Sequence, residues 1–514
     1  MMRSLKWVLA VGALFAACIL VFRLAFPLPN ENFSEEVFSL PPDWEGPLGQ
    51  TVESAIERNP GLDGVRPLAD GRAAYAARAI LAREAASSID AQYYIWQDDV
   101  TGLMLLDELR SAAERGVRVR LLVDDNGIPG LDSLMAELDA LPSASVRIFN
   151  PFTLRNPKLL SYVFDFGRLN RRMHNKSMTF DGVATIVGGR NIGDIYFNYG
   201  SGTHYLDVDA FAVGPVVEEV SEAFDHYWNS GSAYDAARIL PVAGEKRIQV
   251  AAESARQTAA GVGYERAIRE NTLANRIAAH DLKFEWSDVT LIVDDPAKGL
   301  GNAERDQMMV ERLIELSQAS QSSIDLVSAY FIPGERGADV LEGLARSGVS
   351  VRVLTNSFDA TDVMPVHAAY MAYRDDLLES GVEVLELRAL REKKSDRSLP
   401  EILAGSASGL HAKVFAFDGR RVLIGSFNLD PRSARLNTEM GLLIESPSIA
   451  QDLATQIERP ELTYKVELQD NGSTVWIENN EDGSSKSHSV EPETSQSQRA
   501  LAAFVRWLPV EWLL

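Results

Sequence analysis

Cysteine is almost absent from this chain. The single one, Cys18, lies inside an apolar N-terminal run, which excludes disulfides within the chain and any cysteine-based zinc site, and leaves the redox compartment open. Excess positive charge is absent too: 50 Lys and Arg stand against 73 Asp and Glu, a net charge of -23. Polyphosphate binding is driven by cationic surface and counterion release, so this balance argues against a nucleic-acid partner. It also requires that membrane contact come from something other than bulk charge. What is present, 46% hydrophobic and 24% charged residues over 514 positions, suits two globular domains or one bilobal unit with a catalytic cleft.

After Arg3 and Lys6, residues Trp7 to Phe22 carry no charge, and Arg23 interrupts before Leu24, Ala25, Phe26 and the prolines Pro27 and Pro29. A spanning helix needs about 20 apolar residues, and an Arg near its end can snorkel to the interface. Residues 1–29 are therefore read as a membrane anchor. A cleaved signal is the alternative, because Ala16-Ala17-Cys18 faintly resembles a lipoprotein box, although Phe15 is bulky for one. Positive charge before the run and Glu31, Glu35 and Glu36 after it predict an inside N-terminus and a catalytic body outside the cytoplasm.

Blocks about 235 residues apart match in order, which is a duplicated domain rather than a solenoid period. SSID at Ser87–Asp90 recurs at Ser322–Asp325, RGVRVRLLVDD from Arg115 as SGVSVRVLTNS from Ser347, and SVRIFNPF from Ser145 as GVEVLELR from Gly381. Helix-like Ala/Leu-rich stretches alternate with short Val/Ile/Leu runs in each half, so each half is expected to be an α/β sandwich with a parallel or mixed sheet. The expected divisions are a linker at 30–66, a first domain at 67–244, a helical connector at 245–286, a second domain at 287–460, and a C-terminal part at 461–514. That last part is read as one hairpin, a loose polar stretch and an apolar tail that docks on the body or lies at a membrane interface.

The best-matched blocks are HNKSMTFDGVATIVGGRN from His174 and HAKVFAFDGRRVLIGSFN from His411. They pair His174 with His411, Lys176 with Lys413, Asp181 with Asp418, Gly188 with Gly425 and Asn191 with Asn428 at one offset of 237. A lone HxKxxxxD is uninformative; two with the same downstream spacing inside a larger duplication are not. On a strand, residues i and i+2 face one way, so each copy offers an imidazole beside a cation. The Asp, just before a Gly turn, reads as structural, and the Asn after the second strand stands where it could donate to phosphate.

These paired motifs resemble the phospholipase D superfamily. Within it, QYYIW at Gln92, LVDDNGIPGLD at Leu122, RLNRRMHNKS at Arg168, TNS at Thr355, DVMPVHAAY at Asp362, GSFNLDPRS at Gly425 and the ending PVEWLL are similar to the bacterial cardiolipin synthases, the C subgroup above all. The resemblance implies two tandem phospholipase D-type α/β sandwich domains with central mixed sheets, related by a pseudo-twofold axis, behind an N-terminal transmembrane helix in a bacterial cell membrane. It further implies one site for one phosphate, with His174, Lys176, Asp181, His411, Lys413 and Asp418 as the catalytic set and no metal or other cofactor. One imidazole is the nucleophile and the other general acid and base; His174 is assigned the first role, and the symmetry of the repeat leaves the reverse open. Lys176, Lys413, Asn191 and Asn428 would hold the phosphate oxygens.

Each imidazole needs an orienting acid. Glu439, 28 residues after His411, and Asp207, its match in the first copy, are the candidates, with Asp209 competing for the latter role. Arg168, Arg171 and Arg172 are read as capturing an anionic headgroup and His367 as lining a substrate pocket, while His204, His226, His280 and His488 are read as surface or packing residues. The expected partners are membrane phospholipids: phosphatidylglycerol as acceptor and phosphatidylethanolamine or phosphatidylglycerol as donor. Any accessory protein is beyond the sequence. Hydrolysis to phosphatidic acid, a nucleic-acid phosphodiesterase and a non-catalytic membrane scaffold are the rival readings.

Overall fold

The structure, a computed structural model, describes residues 2–197, 205–241, 247–271, 273, 276, 277, 279, 281–389, 409–480, 483–508 and 511–514. The first half supplies β1 (Asp63–Leu68), β2 (Ser88–Tyr93), β3 (Arg118–Asp124), β4 (Ala144–Phe149), β5 (Ser177–Phe180), β6 (Ala184–Gly188), β7 (Asp209–Val213) and β8 (Ala233–Asp235). With β9 (Glu285–Ser287) they form one sheet in the order β8-β4-β3-β2-β5-β6-β7-β1-β9. The second half supplies β10 (Val289–Val293), β11 (Ser323–Ser328), β12 (Ser350–Asn356), β13 (Glu383–Leu387), β14 (Lys413–Phe417), β15 (Arg421–Gly425) and β16 (Met440–Glu445). Adding β17 (Thr463–Leu468), β18 (Thr474–Asn479) and β19 (Ser485–His488), its sheet runs β10-β16-β15-β14-β11-β12-β13-β17-β18-β19.

The two sheets share a seven-strand topology: β4-β3-β2-β5-β6-β7-β1 maps onto β13-β12-β11-β14-β15-β16-β10. In each, the three strands of the matched SSID, VRVRLLVDD and SVRIF blocks pair in parallel, and the motif hairpin pairs antiparallel. Both sheets are thus mixed. Parallel strands are covered on both faces, and every residue of β2 is buried although its sequence, SIDAQY, alternates polar and apolar residues. Helices Gly71–Glu84 and Val100–Glu114 close the outer face of the first sheet, and Met309–Gln318 and Gly334–Arg346 that of the second. The inner faces share one apolar core, in which Val187, Ala210 and Ala212 join Val414, Ile424 and Leu442. Burying each such aliphatic chain stabilises by about 1.5–3 kcal/mol, so this shared core, rather than a linker, holds the halves together.

Three stretches differ from the sequence reading. Residues 30–66 are no linker: they hold the helix Pro47–Arg58 and most of β1, and the carbonyls of Glu35, Val37 and Phe38 accept from Arg147, Arg120 and Arg118. The connector contains the expected helices, Arg247–Arg256 and Ala259–Glu270, but it ends in β9, whose Glu285 and Trp286 pair with Val65 and Gly64 of β1. The C-terminal hairpin β17-β18 is present, yet it extends the second sheet through β13, and the polar stretch expected to be loose contributes β19. Charged side chains hide that pattern: Lys465 and Glu467 on β17, Glu478 on β18 and Lys486 on β19, of which β19 is the edge strand. At the N-terminus, Met2–Ala25 is one helix. The side chains of residues 1–6, 8 and 9 are not described, and among the described residues no helix is long and apolar enough to cross a membrane.

Asp181 and Asp418 mark the same corner of each repeat, both with φ in the left-handed region, 53° and 55°. The Asp181 carboxylate accepts from the backbone N–H groups of Ala86, Ser87 and Ser88 at the entry to β2. Asp418 does the same for Gln321, Ser322 and Ser323 before β11. Removing a buried acceptor leaves its donors unpaired, so Asp181→Ala is expected to cost about 2–4 kcal/mol in urea unfolding. The half-buried Asp418→Ala should cost less. Equal stability of Asp181→Ala and the parent would contradict this role.

Candidate active site

The extended segment entering β5 carries His174 and Lys176, and His411 stands just before β14, whose first residue is Lys413, so the motif sits at the mouth of each strand. Extended backbone still turns both side chains of a copy one way. Asp181 and Asp418 lie at the far end of those strands, five residues or about 16 Å of extended chain from the lysines. They therefore stand apart from the catalytic groups with which the motif associates them.

Backbone bonds stitch the two mouths together. His174 N–H donates to the Thr438 carbonyl and Thr438 N–H to that of Arg172, both at 2.9 Å. Reciprocally, His411 N–H donates to Leu206 at 2.8 Å and Leu206 N–H to Gly409 at 3.0 Å. The same alignment that matches Asp207 to Glu439 matches Leu206 to Thr438, so these contacts are reciprocal, as a pseudo-twofold axis requires. The strand ends behind them are matched as well. Asp124, closing β3, accepts from Met173 N–H at 3.0 Å, and its repeat partner Asn356, closing β12, accepts from Leu410 N–H at 2.8 Å.

The orienting acids cross between the halves. His174 Nδ1 lies 2.8 Å from Oε2 of Glu439, a residue of the second half, and His411 Nδ1 lies 2.5 Å from Oδ2 of Asp207, a residue of the first. Each Nδ1–H then donates to a carboxylate, which leaves Nε2 of each ring with its lone pair. Glu439 is fully occupied: Ser426 Oγ donates to Oε2 at 2.6 Å, Ser433 Oγ to Oε1 at 2.7 Å, and its N–H reaches Asp294. In the first copy Gly189 replaces Ser426, and a Cβ there would collide with the Asp207 carboxylate. Asp209, the competing acid, is taken by two buried arginines, Arg78 at 2.9 Å and Arg190 at 3.3 Å.

All these groups are buried, and each histidine side chain is only 9% exposed, so a substrate reaches little beyond the ring edge. Burial pushes His174 down to about 4 against the pull of Glu439, with Lys176 and Lys413 lowering it further. Burial and then Lys413 push His411 down to about 3 against Asp207. Burial also lowers Lys176 to about 7, opposed by Glu439, and lowers Lys413. Glu439 and Asp207 are held below the usual carboxylate range by the histidines and lysines, which outweigh their burial. Lysines and acids from both halves act on one another, so the two copies form one electrostatic site.

Asn191 accepts from Ile95 N–H through Oδ1, while its Nδ2, beside the Tyr196 phenol, has no hydrogen-bond partner among the described residues. Asn428 is buried with an unpartnered Oδ1. Aromatic rings complete the walls, and the sequence reading missed most of them: Tyr94 lies 5.1 Å from the His174 ring, and Tyr196 and Tyr205 lie 5.0 and 5.2 Å from that of His411. Tyr205 and Tyr330 both donate to one Asp362 oxygen, at 3.0 and 2.8 Å.

The arginines and His367 sit elsewhere than expected. Arg172 is buried, donating to Asp124 at 3.0 Å and to the carbonyls of Asn150 and Leu169, so it secures the segment before His174. Arg168 and Arg171 are half-buried, the first bound to Asp165 and the Pro151 carbonyl, the second to the Gly167 carbonyl. His367 is buried between Phe358 and Tyr370 with Nε2 3.5 Å from Glu491, in a network where Arg374 binds Glu491 and Glu386. His367, Glu386 and Glu491 have metal-like spacing, but the Arg374 guanidinium already supplies the cation. That network ties the C-terminal part to the second sheet. Among the other histidines, His488 pairs with Glu478 at 2.8 Å, His226 is exposed, and His204 and His280 lie outside the described residues.

The chain is similar to known proteins along most of its length. The chain is 42% identical to cardiolipin synthase C of Escherichia coli over 475 residues, covering 91% of this chain and 99% of that protein. It is 26% identical to the major cardiolipin synthase of Bacillus subtilis over 405 residues, covering 77% of this chain and 68% of that one. The crystal structure of a phosphatidylserine synthase from Haemophilus influenzae has the same fold, with a TM-score of 0.55 at 16% identity over 90% of this chain and 100% of that one. The family described as "Cardiolipin synthase, PLD-like domain" matches residues 80–228 and 313–460, one match for each half, and the chain belongs to that family of phospholipase D-like enzymes.

Proposed function

We propose that this enzyme makes cardiolipin by moving a phosphatidyl group from one phospholipid to the hydroxyl of phosphatidylglycerol. The observation that carries this reading is the crossed pairing of His174 Nδ1 with Glu439 and His411 Nδ1 with Asp207, which supports two neutral Nε2 atoms serving one phosphate. In the first step His174 Nε2 attacks phosphorus and a P–N bond forms. The P–O bond to the donor alcohol breaks, and that oxygen leaves with a proton from His411, which the ring, neutral in the empty site, takes up from solvent when the phosphodiester anion binds. In the second step His411 takes the proton of the phosphatidylglycerol hydroxyl, its oxygen bonds to phosphorus, and the P–N bond breaks. Lys176, Lys413 and Asn191 supply positive charge and an N–H for the phosphate oxygens as charge shifts. The order is supported by the surroundings: Glu439 and its two serine donors hold His174 rigidly, whereas His411 adjoins the Tyr196, Tyr205 and Asp362 cluster, where an alcohol could sit. Exclusion of water decides between this transfer and hydrolysis to phosphatidic acid.

The two units at 67–244 and 287–460 would serve as catalytic halves. Residues 1–29 would anchor them in a bacterial cell membrane, with the body on the outer side of that membrane. The donor is read as phosphatidylethanolamine before phosphatidylglycerol, because Asp362 offers a half-buried carboxylate ringed by tyrosines, the setting that suits an ammonium group.

Four outcomes test the reading. With phosphatidyl p-nitrophenol, whose leaving group needs no proton, His411→Asn should release one equivalent of nitrophenolate and carry a phosphatidyl mass on His174. His174→Ala should give no burst; an adduct elsewhere would refute the assignment. The empty site balances two lysines against two carboxylates with neutral imidazoles, so an added phosphodiester anion should raise the depressed pKa values and draw in a proton. Dimethyl phosphate, a monoanion throughout, should bind more weakly as pH rises from about 6 to about 9, through the Lys176 value near 7. Binding independent of pH, or proton release in calorimetry, would contradict this. Asp362→Asn should lower kcat/KM with phosphatidylethanolamine by about tenfold or more relative to phosphatidylglycerol, a loss of an ionic hydrogen bond. In a cardiolipin-null host, lipid mass spectrometry should find cardiolipin, and phosphatidic acid without it would select the hydrolase instead.

A further inference from the structure

Helix Ser161–Leu169 packs against the end of the N-terminal helix. The Phe164 ring stacks on Phe22 at 5.5 Å and on Phe26 at 6.4 Å, and Arg23 Nε donates to the Phe164 carbonyl at 2.6 Å. Ring contacts continue the surface from Tyr162 to Phe166 at 6.2 Å and from Phe166 to Trp512, near the C-terminus, at 6.4 Å. Yet this ledge turns large apolar side chains outward: Leu159 is 74% exposed, Trp512 54%, Val163 52% and Phe166 41%. An exposed apolar and aromatic patch of this kind calls for a partner.

A cleft of about 280 Å³ opens beside it, lined among others by Arg23, Phe26, Thr153, Phe164 and Arg168, with the Asp165 carboxylate, bonded to Arg168 Nε at 2.7 Å, also in its wall. Two of those residues have buried polar atoms without a hydrogen-bond partner among the described residues, Arg168 Nη1 and Thr153 Oγ1. A guanidinium N–H and a hydroxyl left over in one cleft match a phosphate oxygen. In a chain with a net charge of -23, that is a selective place to hold one.

We propose that this ledge is the surface by which the body rests on a phospholipid bilayer, with its apolar side chains below the headgroups and a lipid phosphate taken by Arg168 and Thr153. Continuity decides for lipid over a second protein. The ledge runs directly into the Met2–Ala25 helix, whose described side chains, Val11, Leu14, Phe15 and Leu20 among them, are exposed and apolar, so one medium surrounds both. Interfacial aromatics flanked by Arg are the pattern of a surface lying at the headgroup and acyl boundary. The ledge is also braced to the catalytic mouth. Arg432 donates to the Asn170 carbonyl at 2.9 Å and to the Leu513 carbonyl at 3.0 Å, and its helix, Pro431–Arg435, supplies Ser433 to Glu439. Resting on this face would hold the imidazoles near the depth at which phosphodiester groups lie. The inference rests on the lipid-transfer reading, but its test is optical and needs no turnover.

The full chain with Cys18→Ser would carry one new thiol, Val163→Cys, labelled with a polarity-sensitive dye and reconstituted with phosphatidylglycerol and phosphatidylethanolamine. Emission should shift to the blue and be quenched by lipids brominated on their acyl chains, while the same dye at Val262→Cys, on the outer helix Ala259–Glu270, should report water. Adding Arg168→Ala should at least halve the quenching at position 163. A label at 163 as accessible to aqueous iodide as that at 262 would overturn the proposal. Quenching indifferent to Arg168→Ala would overturn the part given to the cleft.

Discussion

His174 takes its orienting carboxylate from the second half of the chain and His411 takes its own from the first, so neither imidazole is aligned until both halves are folded and face each other. That exchange sets the rest of the architecture. It requires the mouths of β5 and β14 to meet, which the reciprocal bonds to Thr438 and Leu206 accomplish, and it requires the inner sheet faces to be apolar enough to stay together. A buried carboxylate without its imidazole would be an uncompensated charge, costly to keep in a low dielectric. Catalytic geometry and association of the halves are therefore one constraint, in which each half supplies what stabilises the other.

The same burial supplies the chemistry. Two lysines would ordinarily repel a protonated imidazole and two carboxylates would favour one; out of water, desolvation dominates and both rings are left neutral. In the proposed reaction, a site poised in this way would accept the negative charge of a phosphodiester and pair it with a proton. The chain's large acidic excess lies outside this cluster, which is how an acidic protein holds a local anion site.

Much of this was legible in the sequence, and the limits have physical causes. The duplicated blocks foretold an α/β sandwich with a mixed sheet in each half, because helix-like stretches alternate with short apolar runs at matching offsets; the strand order itself comes from the structure. Asp207 and Glu439 were legible as acids, but alignment matches residue to residue and carries no information on which ring each reaches; the crossing appears only when the two sheets dock. Three arginines in an acidic chain read as a surface patch. Arg172 is buried because Asp124, 48 positions earlier, closes β3 directly beneath it. His367 was drawn toward the substrate by its neighbours in DVMPVHAAY, whereas Glu491, far along the chain, holds it in the seam of the C-terminal part. The strands β9 and β19 and the tyrosine walls rest on contacts between distant segments, which no local period records.

The most direct test of the central claim is a crystal structure of the enzyme with vanadate or tungstate. The account predicts a single oxyanion for each chain, touched by Nε2 of both His174 and His411, with the two rings still bonded through Nδ1 to Glu439 and Asp207. Two separate oxyanions, each on one imidazole, or a ring paired with an acid of its own half, would contradict it.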